Sequence, residues 1–135
     1  MQATKKADLR RRFPFIDDGC KFNIGDGWFQ IIAGFCGAAR LHSDDTFRIT
    51  QLEFRDGKLN IEYVGRGGSY LDKLVAWAEI RSMHACEQCS KEFKADYQKG
   101  TRICQVGNRK ARLCPDCWGW YELLPDSSRE AVFAL

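Results

Sequence analysis

Histidine is scarce in this chain: among 135 residues there are two, His42 and His84. Imidazole acid–base chemistry therefore has few candidates, and the His-x-Glu signature of zinc deaminases is missing. No carboxylate pair or nucleophile with an imidazole base stands out either. The stretch Gly65-Arg66-Gly67-Gly68 has neither the Gly-Lys-Ser/Thr ending of a phosphate loop nor Gly-x-Gly-x-x-Gly spacing, so it reads as a flexible link. No uncharged apolar run is long enough to span a bilayer, and no basic–apolar leader opens the sequence. A strong charge of one sign is lacking too. The 21 Lys+Arg against 18 Asp+Glu leave +3, too little by itself to announce a nucleic-acid binder. Together these absences argue against an enzyme and against a membrane protein.

Cysteine, by contrast, is plentiful. Cys86-Glu87-Gln88-Cys89 is followed, after 24 intervening residues, by Cys114-Pro115-Asp116-Cys117. Each Cys-x-x-Cys can set two thiolates about 3.5–4 Å apart on one side of a tight turn, and four such sulfurs make the tetrahedral soft cage that zinc prefers. The second pair carries Pro115 and runs into a helix-compatible segment, Trp118 to Leu124, as in the second half of a zinc ribbon or treble clef. The competing readings are two disulfides or free core thiols. His84 or Cys104 could in principle replace one ligand, but two complete pairs already close the shell. An odd total of seven cysteines, without a leader, favours a reducing cytoplasm. Cys20, Cys36 and Cys104 are left over from the two pairs, and Cys36 reads as a buried thiol.

The composition, 44% hydrophobic, 29% charged and 13% aromatic, suffices for one hydrophobic core in the first two thirds. The polar segment between the cysteine pairs adds little to it, so the metal is expected to substitute for core in the last third. The expected fold is α+β: a small helix/antiparallel-hairpin/helix domain followed by a zinc-ribbon or treble-clef-like four-cysteine module. Its expected divisions are a basic N-terminal arm and docking segment (1–19), the core domain (20–84), the cysteine module (85–125) and a tail (126–135).

Residues 4–12 can form a short helix that ends before Phe13-Pro14, with Phe13, Phe15 and Ile16 anchoring it and its arginines solvating an exposed end. Asp17-Asp18-Gly19 and Gly25-Asp26-Gly27 are turn chemistry. Asp26 is expected to cap a helix whose stripe is Trp28, Ile31, Ile32, Phe35 and Ala39, with Cys36 beside it and His42 near its end. Thr46 to Arg55 and Leu59 to Val64 read as a hairpin around Asp56-Gly57, with Phe54 opposite Leu59 and Leu52 opposite Ile61. Gln51, Glu53, Arg55, Lys58, Asn60 and Glu62 fall on its polar face. Ser69 and Asp72 resemble a capping box for a helix burying Leu71, Leu74, Val75, Ala78 and Ser82, a stripe that Trp77 and Ile80 widen. Short strands follow at 93–97 and 101–106, with turns at 98–100 and 107–110, and Pro125 stops the last helix.

The order of Gly25-Asp26-Gly27-Trp28-Phe29, Cys36, the 46–64 ribbon, Gly67-Gly68, Ala78-Glu79 and Cys86-Glu87-Gln88-Cys89, with the opening Leu9 to Phe15, resembles a group of small bacteriophage- and prophage-encoded proteins. The resemblance covers most of the chain; the longer inter-cysteine segment and the second Cys-x-x-Cys set this sequence apart. It implies a small phage accessory protein with a zinc-bearing end, no catalytic motif, and a bacterial cytoplasm as its location.

Two functions follow as expectations. One is a protein-interaction module that occludes or allosterically blocks a host machine of transcription, replication or defence, using the outer ribbon face or the zinc knuckle. The other is a nucleic-acid-binding regulator that uses the basic segment Lys91, Lys94, Lys99, Arg102, Arg109, Lys110 and Arg112, with Phe93, Tyr97 and Trp118 interleaved for stacking.

Overall fold

The computed structural model describes residues 1–93 and 100–123. The protein is α+β. Its first part runs α1 (Ala3–Arg12), β1 (Ile16–Asn23), a 3-10 turn at Asp26–Trp28, α2 (Phe29–His42), β2 (Arg48–Arg55), β3 (Lys58–Val64) and α3 (Gly68–Ser82). The second part adds the hairpin β4 (Arg102–Val106) and β5 (Arg109–Leu113), then α4 (Pro115–Glu122).

A three-stranded sheet of order β1-β2-β3 carries the first core, with β1 parallel and β3 antiparallel to β2. The β2–β3 register is the expected one: Arg55 pairs with Lys58, Phe54 with Leu59 and Leu52 with Ile61. Asp56 and Gly57 both adopt positive φ, 53° and 81°, as a two-residue hairpin turn requires. The buried face of the sheet and the stripe Ile31, Ile32, Phe35, Cys36 and Ala39 of α2 close on one another, joined by Leu71 and Ala78 of α3. On the polar face, Arg55 pairs with Glu53 and Glu62, and Gln51 Nε2 donates to Glu53 at 2.6 Å.

Several local expectations change. Asp17-Asp18-Gly19 lies inside β1 rather than in a turn, so the boundary expected at 19/20 falls within a strand. Arg10 explains how this polar run holds: its guanidinium donates to the carbonyls of Asp17 and Cys20, both at 2.8 Å. That arginine is an edge brace, not a solvating end. Asp26 does not cap α2. Its carboxylate accepts from the Gln2 N–H at 2.8 Å instead, which ties the start of α1 to the start of α2. The Ser69–Asp72 box does not form, because α3 starts at Gly68 and Asp72 accepts from the Tyr63 hydroxyl at 2.8 Å. Trp77 and Ile80 do not widen the buried stripe; they are 38% and 55% exposed. Most of the strand expected at 93–97 and of the turn at 98–100, the helix stop at Pro125 and the tail from 126 onward lie outside the described residues.

Ser82 links α3 to the sheet from within the core. Its hydroxyl accepts from the Leu59 N–H at 2.8 Å and donates to the Glu79 carbonyl at 2.7 Å, and the residue is fully buried. Ser82→Ala strands that N–H, and a loss of about 1–3 kcal/mol in urea unfolding is expected. A midpoint equal to that of the parent protein would show that the β3–α3 contact does not depend on this bond.

The second part has a small core of its own, formed by Cys104, Val106, Ala111, Leu113 and Tyr121 with Phe93, Cys117 and Trp118 packed on it. The inter-cysteine segment thus contributes more apolar packing than its polarity suggests. Alternation along β4 and β5 supplies it: Cys104, Val106, Ala111 and Leu113 point inward, while the residues between them point out.

Candidate metal centre

Two local structures bring the cysteines together. The first is a tight hairpin after α3, in which Cys86 N donates to Lys91 O, Ser90 N to Cys86 O and Phe93 N to His84 O, each at 3.0 Å. Ser90 at its turn has φ 66°, a left-handed value that side chains other than glycine's adopt rarely. Within it Gln88 N approaches Cys86 Sγ at 3.4 Å. The second is the start of α4. Cys114 is its N-cap, Pro115 occupies the first turn, where a missing N–H costs nothing, and Cys117 N donates to Cys114 Sγ at 3.5 Å.

The sulfurs of Cys86, Cys89, Cys114 and Cys117 all lie within 4.8 Å of one another, and no other such cluster of ligand side chains occurs among the described residues. Cys89 Sγ and Cys114 Sγ are 3.6 Å apart, and none of the seven cysteines is disulfide-bonded. A tetrahedron with metal–sulfur bonds of about 2.3 Å has edges of about 3.8 Å, so the cluster can hold a metal ion with only small adjustments. A disulfide needs about 2.05 Å. Neither His84 nor Cys104 joins the cluster. Cys104 sits in β4 with its thiol toward the Arg102 carbonyl at 3.5 Å, and burial pushes its pKa up.

Four thiols this close cannot all ionise alone. Burial pushes Cys86 up to about 11, and burial together with the charge of Cys86 pushes Cys117 up as well. For Cys114 burial acts upward too, but the Cys117 N–H and the neighbouring thiols hydrogen-bond to its sulfur and bring it below the ordinary thiol range. Hydrogen bonds to Cys114 Sγ thus favour a thiolate there, and a bound cation would favour ionisation of the other thiols. Cys20 and Cys36 stand apart in the first core as buried thiols, with burial pushing Cys20 up to about 11.

The residue that sequence reasoning missed is Glu87. It is fully buried between Cys86 and Cys89 in the chain, where its carboxylate accepts from Gly25 N and Arg109 Nη2, both at 2.9 Å, and from Arg112 N at 3.1 Å. Its own backbone donates to Arg112 O at 2.8 Å and accepts from Gly27 N at 2.6 Å. Trp28 completes the seam, its indole N–H donating to Ala85 O at 3.0 Å. A second junction forms at the β2–β3 turn, where Arg112 Nε donates to Gly57 O at 2.6 Å. The hairpin that bears Cys86 and Cys89 is therefore packed onto the first core and not tethered beside it. The only sequence trace of this was Gly25-Asp26-Gly27-Trp28, read there as turn and cap.

The basic segment does not form one face. Arg109 shares the inward side of β5 with Ala111 and Leu113, whereas Lys110 and Arg112 lie on the other side. Arg109 pairs with Glu87 and lies over the Phe54 ring at 5.5 Å; Arg112, half-buried, bonds Gly57 and Thr101. Lys91 is exposed, 3.9 Å from Asp116 and 5.4 Å over Phe93, and Arg102 lies 5.6 Å over Trp118. Lys110 is exposed. Lys94 and Lys99 lie outside the described residues.

Fold and site together define an α+β protein with a C-terminal four-cysteine cluster able to hold a metal ion. No protein-family model, curated protein or solved structure matches the chain. No helix among the described residues is long and apolar enough to cross a membrane.

Proposed function

We propose that the protein is a non-enzymatic zinc protein whose ion is structural and whose assembled surface binds and modulates another protein. The observation that carries the first half is the convergence of four sulfurs within 4.8 Å. Zinc suits an all-thiolate tetrahedral donor set, and a four-cysteine shell leaves no coordination position for substrate or activated water. The second half is supported by apolar surface gathered where the two parts meet. Trp77 and Ile80 of α3, with His84 and Phe93, line a depression of about 300 Å³ rimmed by the Arg81–Glu92 ion pair. Partly exposed aromatic side chains beside an arginine suit a protein contact. The resemblance to small phage-encoded proteins makes a bacterial host machine of transcription, replication or defence the candidate target, acted on by occlusion or allosteric block.

Nucleic-acid binding is the second reading, favoured by the exposed Arg102 over the half-buried Trp118 ring and by the exposed Lys91 and Lys110. It is the weaker one because Arg109 and Arg112 already have partners within the protein. Affinity capture from bacterial lysate with the parent protein and a Trp77→Ala/Ile80→Ser variant separates the two. One discrete protein retained by the parent and lost by the variant is the expected result. Capture of nucleic acid alone, released steeply by salt, would favour the second reading. A parent sample indistinguishable from background would count against both.

A further inference from the structure

We infer that Glu87, which need not touch the metal, is the positioning residue that sets how firmly the four cysteines retain it; this rests on their reading as a metal site. Glutamate is almost never fully buried unless paired, and here it is fully buried with both carboxylate oxygens engaged. Its location explains what the burial achieves. Glu87 adjoins Cys86 in the first ligand pair. Arg112, to which it is bonded through both backbone and carboxylate, lies two residues before Cys114 in the second pair. The side chain thus completes a short ladder between the hairpin bearing one pair and the strand delivering the other. Arg109 Nη2 neutralises the carboxylate, and Gly25 N fixes the assembly to the first core. Two thiolate pairs hold an ion well only if their separation is preset, so a group that presets it acts on retention without being a ligand.

Glu87→Gln tests this with little change of shape. In place of one oxygen the amide presents N–H groups, either to Gly25 N and Arg109 or to Arg112 N, and a donor then faces a donor. Metal release from the full-length, metal-loaded protein to a colorimetric chelator is timed under native conditions, beside thermal unfolding of the same samples. Release about 10- to 100-fold faster than in the parent is expected. Leu59→Ala, which destabilises the first core away from the cysteines, should release metal near the parent rate. Arg109→Gln, which removes one of the three donors, should shift release in the same direction by less, and it decides the matter if Glu87→Gln fails to fold. Parent-like release from the variant that decides, or release that tracks unfolding temperature equally in Leu59→Ala, would overturn the assignment. A parent protein that carries no metal would defeat the metal reading itself, and is seen before any variant is made.

Discussion

Removing the proposed metal, by chelation or by Cys117→Ser, is expected to destabilise the whole protein and not residues 85–123 alone. Sequence reasoning places the effect locally, because a structural ion supplies folding free energy to the module that binds it. The seam at Glu87 alters that expectation. Gly25 N, Gly27 N and Trp28 Nε1 all donate to acceptors on residues 85–87, at 2.9, 2.6 and 3.0 Å. Trp28 is fully buried and stacks on Phe54 at 6.1 Å. If the hairpin loosens, three donors lose their partners, at about 1–3 kcal/mol for each that remains buried. Set against a typical total stability of about 5–15 kcal/mol, this is enough to couple the two parts. Tryptophan fluorescence and thermal unfolding, with and without chelator, should therefore show one transition that moves down as a unit. An early transition of the second part, followed by an unchanged main one, would mean that the first core stands independently.

Gly27→Ala is expected to be strongly destabilising for the addition of a single methyl group. A Cβ at this position would lie 2.1 Å from Cys86 O and 2.5 Å from Glu87 C. Both are backbone atoms, which cannot rotate aside. Either the metal-site hairpin lifts or the start of α2 shifts, and the 2.6 Å Gly27–Glu87 bond is lost in both cases. A loss of about 3 kcal/mol, the upper end of ordinary overpacking, is expected in urea unfolding. Gly37 provides the internal comparison. It lies within α2, and a Cβ added there would meet nothing within 4 Å. At that position alanine should be neutral or stabilising by up to about 1 kcal/mol, as helix propensity implies. Equal unfolding midpoints for the two variants would show that the close approach at Gly27 is not a constraint.

Features written into short stretches of sequence were legible. The hairpin register followed from Asp56-Gly57 and its flanking alternation, the α2 stripe from spacings of three and four, and the four-cysteine cluster from two Cys-x-x-Cys pairs. Long-range partners were not. Asp17-Asp18-Gly19 has the composition of a turn and lies in strand because β2 pairs with Ile16 before it and with Lys21 to Asn23 after it, while Arg10 reaches across from α1 to the Asp17 and Cys20 carbonyls. Glu87 has the composition of a solvated residue, and only the approach of residues 62 positions earlier and 22 to 25 positions later makes it buried. Trp77 and Ile80 have the spacing of core residues, yet the helix turns them outward because Leu71, Ala78 and Ser82 occupy the inner face. Gly25 and Gly27 were recognisable as special positions. Their reason, room for the metal-site hairpin, required the fold.

Native mass spectrometry of the untagged protein, prepared without added metal, addresses the metal centre most directly. One zinc ion per chain, absent from the Cys117→Ser variant, is the predicted result. Metal-free chains with all thiols reduced, or masses lowered by two hydrogens per cysteine pair, would contradict it; the latter would mean that disulfides hold these cysteines.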